Sequence, residues 1–171
     1  MKATLSLNLP ALNLTKPVMT AIAQDILAII KIRIYKGLDY NLNKFRAYST
    51  RPIYIGYKST TYKRLKPKGG VKKPNSMFFV GGYAEYKDKS RKRSNAIEGQ
   101  TASVDLTLSG MMLQNFVVLE ATNTKFTIGL LPPVQDYGYA VNQDRGFIGL
   151  ADKEVDQLVQ IVKAKIGRAH V

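Results

Sequence analysis

FVVLEATNTKFTIGL, residues 116–130, is the stretch whose reading decides the fold. Its two halves, 116–121 and 125–130, are rich in Phe, Val, Ile and Thr. Between them sits Thr122-Asn123-Thr124, a turn-prone tripeptide. Two β-rich runs on either side of such a turn predict a β-hairpin. A helix through this region would make the chain all-α. A hairpin makes it mixed, because both flanks read as helices.

Upstream, Thr15-Lys16-Pro17 is a helix-start signal, a hydroxyl before a proline in the first turn. Apolar residues then recur at Val18, Ile22, Ile26, Ile29 and Ile30, close to helical spacing, and Gly37 is a suitable stop. These signals predict a helix over about 17–36 with a broad apolar face. Downstream, ADKEVDQLVQIVKAKIG, residues 151–167, predicts a helix capped by Asp152 or the residue before it. Val155, Leu158, Val159, Val162 and Ile166 would form its apolar stripe. At the N-terminus Leu5, Leu7 and Leu9 alternate with Thr4, Ser6 and Asn8, a short strand or extended arm ended by Pro10. The expected fold is one α+β domain over 1–171. A long N-terminal helix and a C-terminal helix pack on a small, mainly antiparallel sheet containing the hairpin.

The middle of the chain is less regular. Residues 37–57 are aromatic and basic, with Asn, Asp, Gly and Pro52 that favour turns. Residues 58–76 hold seven Lys or Arg beside Pro67, Gly69, Gly70 and Pro74, which predicts an exposed, mobile loop or the tip of a β-ribbon. Residues 77–80 read as a strand and 83–92 as a short helix. Residues 104–116 start extended, and Ser109 then offers a cap for a turn or two of helix.

Composition removes many functions. There is no cysteine, so disulfides and thiolate metal sites are excluded. The single histidine, His170, cannot supply a histidine-rich metal site and argues against a Ser-His-Asp triad. The twelve acids show no motif-like pair, and no phosphate-cradle pattern GxxxxGK[ST] occurs. The sequence thus reads as non-enzymatic and without cofactors. The apolar run 26–34 is interrupted by Lys31 and Arg33 and is too short to cross a bilayer, and no signal-peptide core is visible. A cytoplasmic product without a membrane partner is the expectation. The net charge of +14 is local: residues 31–93 carry 18 Lys or Arg and 3 acids, a net of +15. Such a segment implies an anionic partner or a solvated surface.

Four segments carry a resemblance. GLDYNLNKFRAYS, residues 37–49, follows the first helix with a Gly-Asp turn, an aromatic and a Tyr-Ser pair. YAEYKDKSRK, residues 83–92, is a Tyr-rich basic element. VDLTLSGMM, residues 104–112, is similar to a VxLxxTGxM element, with Ser109 in place of threonine. YAVNQDRGFIGL, residues 139–150, reads as a short surface segment ending in the apolar anchor Phe147-Ile148-Gly149-Leu150. It is similar to a YAxxhQ…RPFLGL element, with Asn142 where histidine is usual and Gly146 where proline is usual. In this order the segments resemble the tailed-bacteriophage virion morphogenesis proteins, the neck and tail-completion family. The basic stretch 58–76 is the main departure.

The resemblance implies a structural subunit of a homo-oligomeric ring of six or twelve copies at the head–tail junction of a virion. The subunit would be made in the host cytoplasm. Its neighbours would be neck, portal-adaptor or tail proteins, with non-specific contact to DNA in the channel. Candidate interface residues are Tyr83, Tyr86, Lys87, Met111, Met112, Phe147, Ile148 and Leu150. Candidate partner-facing cations are Lys58, Lys63, Arg64, Lys66, Lys68, Lys72, Lys73, Arg91, Lys92 and Arg93. Each group has a plainer reading: a Met pair and a Phe-Ile-Gly-Leu anchor also suit a core, and a basic run also suits a solvated loop. The alternative function is a basic RNA- or DNA-binding module over residues 35–93. There, tyrosines interleave with Lys and Arg as stacking and phosphate contacts require.

Overall fold

The structure is a computed structural model that describes residues 4–9, 14–56, 67–73, 75–91, 104, 106 and 110–169. Its elements are β1 (Thr4–Asn8), α1 (Lys16–Tyr35), β2 (Ile53–Gly56), β3 (Val71–Lys73), β4 (Ser76–Phe79) and α2 (Gly82–Arg91). They continue with α3 (Met111–Gln114), β5 (Phe116–Ala121), β6 (Lys125–Leu130), α4 (Gln135–Arg145) and α5 (Asp152–Ala169). The fold is α+β and every strand pairing is antiparallel. The chain divides into two compact units, residues 1–45 with 105–171, and residues 46–104. The physical reason is strand pairing: among the described residues β2, β3 and β4 form one sheet, and β1, β5 and β6 the other. No helix among the described residues is long and apolar enough to cross a membrane.

The first unit is built on the expected hairpin, whose strands have the bounds read from sequence. The strand order is β1-β6-β5, with Leu7 opposite Phe126 and Val118 opposite Ile128. Phe126, Ile128 and Leu130 of β6 and Phe116 of β5 are fully buried. They meet α1, which packs on both hairpin strands and presents Met19, Ile22, Ala23, Ile26, Ile30 and Ile34 at spacings of three and four. Each Ile, Leu, Met or Phe among them contributes roughly 1.5–3 kcal/mol when taken out of water. The edge strand β1 has no buried residue. Its Leu5 and Leu7 are half-buried, and Thr4, Ser6 and Asn8 are exposed, as the alternation predicts.

Thr15 occupies the N-cap of α1 in extended conformation, but its side chain makes no capping bond. The C-terminus ends as the sequence suggests. Gly37 takes φ 75°. Its N–H donates to the Ile34 carbonyl (2.9 Å) and the Leu38 N–H to the Arg33 carbonyl (3.2 Å), the paired bonds of a Schellman stop. Helix α5 packs on α1. The two helices are antiparallel, since Arg33 meets Glu154 while Asp25 meets Lys165 eleven residues further along α5.

Two local readings need correction. The surface segment read over 139–150 is helical in its first half: 135–145 form α4, with Ala140, Gln143 and Asp144 exposed. Its signals are faint: Asp136 in the first turn, Arg145 in the last, and Gly146 at φ 52° as the stop. Gly138 breaks the apolar pattern because α4 crosses close to Leu130; a Cβ there would overlap Leu130 Cδ1 and force it to shift. Likewise the N-cap of α3 is Gly110 at φ 78°. Ser109, the expected cap, lies outside the described residues.

The second unit is a three-stranded sheet in the order β2-β4-β3, with α2 against β4. Phe79 is buried and its ring meets Tyr86 of α2 edge-on, with centroids 5.3 Å apart. Part of the expected loop or ribbon tip is thus a ribbon, β3 paired with β4. Residues 58–66 and Pro74 lie outside the described residues.

Candidate functional site

Arg33 stands on the buried face of α1, three residues after Ile30, and is almost wholly removed from solvent. A guanidinium in that position needs acceptors, because an unpaired buried charge is strongly unfavourable. It finds three. Nη1 donates to Glu154 Oε2 at 2.6 Å, and Nη2 donates to the carbonyls of Phe147 (2.7 Å) and Gly149 (3.0 Å). Only Nε is left without an acceptor. Burial draws the Arg33 pKa down from the ordinary arginine value, and the charges of Glu154 and Asp39 oppose that shift. Glu154 Oε2 also accepts the Ala151 N–H (2.9 Å), so one carboxylate satisfies the start of α5 and the arginine together.

This corrects the predicted face of α5. Leu158 and Val162 are buried as expected, but Glu154 joins them, while Val155 and Val159 are 43% and 44% exposed. The ion pair rotates the helix. Arg33 was visible in the sequence only as an interruption of an apolar run. The signal that identifies it is its place on the stripe of Ile26 and Ile30.

The turn after α1 folds over the same region. Asp39 Oδ1 accepts the N–H groups of Asn41 and Asn43, each at 2.8 Å, and Leu38 bridges Lys44. This holds Leu42 at φ 64°, a left-handed conformation that is uncommon for leucine, with its side chain 46% exposed. Tyr40 turns the other way. Its N–H donates to the Gly146 carbonyl (2.9 Å), and its ring lies so close that a Cβ on Gly146 would be 2.7 Å from Tyr40 Cε1. Gly149 has the same neighbour, at 3.0 Å. Proline cannot take the φ of 52° found at Gly146.

Between α1, this turn and the start of α5 lies a groove of about 360 Å³. Its apolar walls are Ile29, Ile32, Leu38 and Leu42. Lys36 and Lys153 stand beside them, with Gln157 and the Arg33–Glu154 pair completing the lining. Three cations against one carboxylate leave it with an excess of positive charge. Neither Lys36 nor Lys153 has an ion-pair partner among the described residues.

The candidate interface residues fall into two sets. Tyr86, Lys87, Met112 and Phe147 are buried. Phe147 packs edge-on against Phe116 at 6.0 Å, and Lys87 donates to the Tyr48 hydroxyl with its ammonium 4.0 Å from the Tyr48 ring centre. Met112 and Phe147 thus serve the interior, their plainer reading, and Tyr86 and Lys87 are interior as well. Met111 is exposed, and Tyr83, Ile148 and Leu150 are half-buried. Among the candidate cations, Lys68 and Lys73 are exposed. The Lys68 N–H donates to Glu85 Oε1 at 2.8 Å. The ammonium of Lys73 lies 4.8 Å from the centre of the Tyr54 ring. Tyr54 pairs across the strands with Phe78, centroids 4.7 Å apart. Lys72 belongs to β3 and Arg91 ends α2. Lys58, Lys63, Arg64, Lys66, Lys92 and Arg93 lie outside the described residues. Among the described residues no group of three or more acidic or imidazole side chains is placed to hold a metal ion.

Comparison of the chain with protein-family models, with curated proteins and with solved structures finds no match to any of them.

Proposed function

We propose that the chain is a structural, non-catalytic subunit of a neck or tail-completion ring that joins a tailed-phage capsid or portal to its tail. The observation that carries this reading is a contact between the first and fourth of the segments that resemble that family. Tyr40, from 37–49, packs on Gly146 and Gly149, from 139–150, and donates to the Gly146 carbonyl. Arg33, just before the first segment, grips the Phe147 and Gly149 carbonyls of the fourth. Segments more than a hundred residues apart thus form one locked surface beside an apolar, cationic groove. A scaffold subunit needs a fixed surface of that kind, since a preorganised contact loses less entropy on assembly. The ring would hold six or twelve copies and sit at the neck of the virion. Its basic stretch would dock on an acidic rim of a neighbouring neck, portal-adaptor or tail protein and touch channel DNA only non-specifically. Removing the gene from its phage tests this. Filled heads and tails that fail to join, or tails of faulty termination, are the expected result, and normal infectious particles would refute it.

A second reading, an RNA- or DNA-binding module, has one specific observation in its favour. Tyr54, Phe78 and Lys73 gather two rings and a cation on one sheet, and Tyr54 is exposed, the elements of a base-stacking platform. Nucleic-acid binding that persists at high salt with base preference would favour it. Binding that falls steeply with salt would not, since a chain of net charge +14 attracts any polyanion through counterion release.

A further inference from the structure

Helix α5 carries two different surfaces on its two exposed flanks. Lys153 and Gln157 line the groove. At about 100° per residue, Val155 and Val159 stand roughly 160° around the helix from them. Both valines are close to half exposed. Asp152 and Asp156, also exposed, follow the valines round the helix, Asp152 about 20° and Asp156 about 60° from Val159 on its solvent side, and have no ion-pair partner among the described residues. This flank is an apolar ridge edged by two carboxylates. The groove is its complement: apolar walls from Ile32 and Leu42, both about half exposed, edged by the ammonium groups of Lys36 and Lys153.

We infer that the ridge of one copy of this chain docks in the groove of the next. Val155 and Val159 lie against Ile32 and Leu42, and Asp152 and Asp156 face Lys36 and Lys153. The inference rests on the ring reading and names the surface that builds the ring. Charge complementarity selects a second copy as the occupant, because two acids and two cations, none with an ion-pair partner among the described residues, flank matching apolar strips of the same chain. The two surfaces differ and lie on opposite flanks of one helix. The contact is therefore head-to-tail, and a head-to-tail contact generates a closed ring when its rotation closes. A two-fold contact would need one self-complementary patch. The groove is incomplete without the neighbour, which supplies its acids. Leu42, held in a costly backbone conformation at the rim, is positioned for that contact.

Two charge-reversed variants test it: a groove variant, Lys36→Glu with Lys153→Glu, and a ridge variant, Asp152→Lys with Asp156→Lys. All four positions are exposed, and circular dichroism checks that each variant keeps its helix content. Sedimentation velocity of the full chain reads the assembly. The wild type should form an oligomer that weakens as salt rises. Each variant alone should sediment as a monomer, because like charges then face each other. Mixed in equal amounts, the two should recover the wild-type species, since every contact in an alternating ring is again complementary. The fourfold variant should also recover it. Variants that assemble unchanged would overturn the docking, as would folded variants that fail to rescue each other or a wild type that stays monomeric at millimolar concentration. None of these outcomes touches the ring reading itself, which the gene deletion decides.

Discussion

The guanidinium of Arg33 donates to the carboxylate of Glu154 at 2.6 Å, across 121 residues of sequence, with both side chains buried. This pair joins α1 to the first turn of α5 and, through two more bonds from Arg33, holds the 147–149 loop. Removing one partner leaves the other charged, buried and alone. Arg33→Ala should lower unfolding stability by about 3–5 kcal/mol in urea denaturation. Arg33→Met combined with Glu154→Gln should cost less than the sum of the single changes, with a coupling of roughly 1 kcal/mol or more. Strict additivity would show that the pair contributes only as two separate residues.

Gly138 lies inside α4, where alanine would ordinarily favour the helix by about 1 kcal/mol. Here the added methyl meets Leu130, which is itself buried and cannot move aside freely. Gly138→Ala should therefore destabilise the chain by about 1–3 kcal/mol, the usual range for overpacking. A melting temperature that rises instead would mean that α4 can shift from the sheet.

Leu42 offers the opposite case. Its φ of 64° is strained for a leucine and ordinary for asparagine. Leu42→Asn should leave stability unchanged or raise it by up to about 1 kcal/mol, while it weakens self-assembly by removing one apolar wall of the groove. Thermal melts and sedimentation on the same sample separate the two effects.

Glu85 links the 67–70 turn to the start of α2. Desolvation pushes its carboxyl pKa up. The N–H groups of Lys68 and Gly81, with the charges of Lys89 and Lys68, outweigh that and hold it below the ordinary glutamate value of 4.5. A carboxylate with a depressed folded pKa stabilises the fold above its unfolded value, and that contribution is lost as pH falls through the folded one. Stability should thus decline with acid below pH 4.5, and Glu85→Gln should flatten that decline. Parallel pH profiles for wild type and variant would contradict this role.

The hairpin at 116–130, the alternating strand at 4–8 and the two terminal helices were legible in the sequence because each is set by local rules. A period of two, a period near 3.6, a proline in a first turn and a glycine after a last one act within a few residues. Helix α4 was not legible, because Gly138 obeys Leu130 rather than its own helix. The face of α5 was misread for a related reason. Five apolar residues define a stripe by themselves, but the buried acceptor that Arg33 requires turned Glu154 inward and left Val155 and Val159 outside. The sequence by itself determined which segments are helix and which are strand, since those preferences are carried by neighbouring residues. Only the tertiary structure decided which flank of α5 is interior, where the groove lies and which charges remain unpaired. Those outcomes depend on residues distant in the chain meeting in a place without water, where an ion pair outranks local pattern.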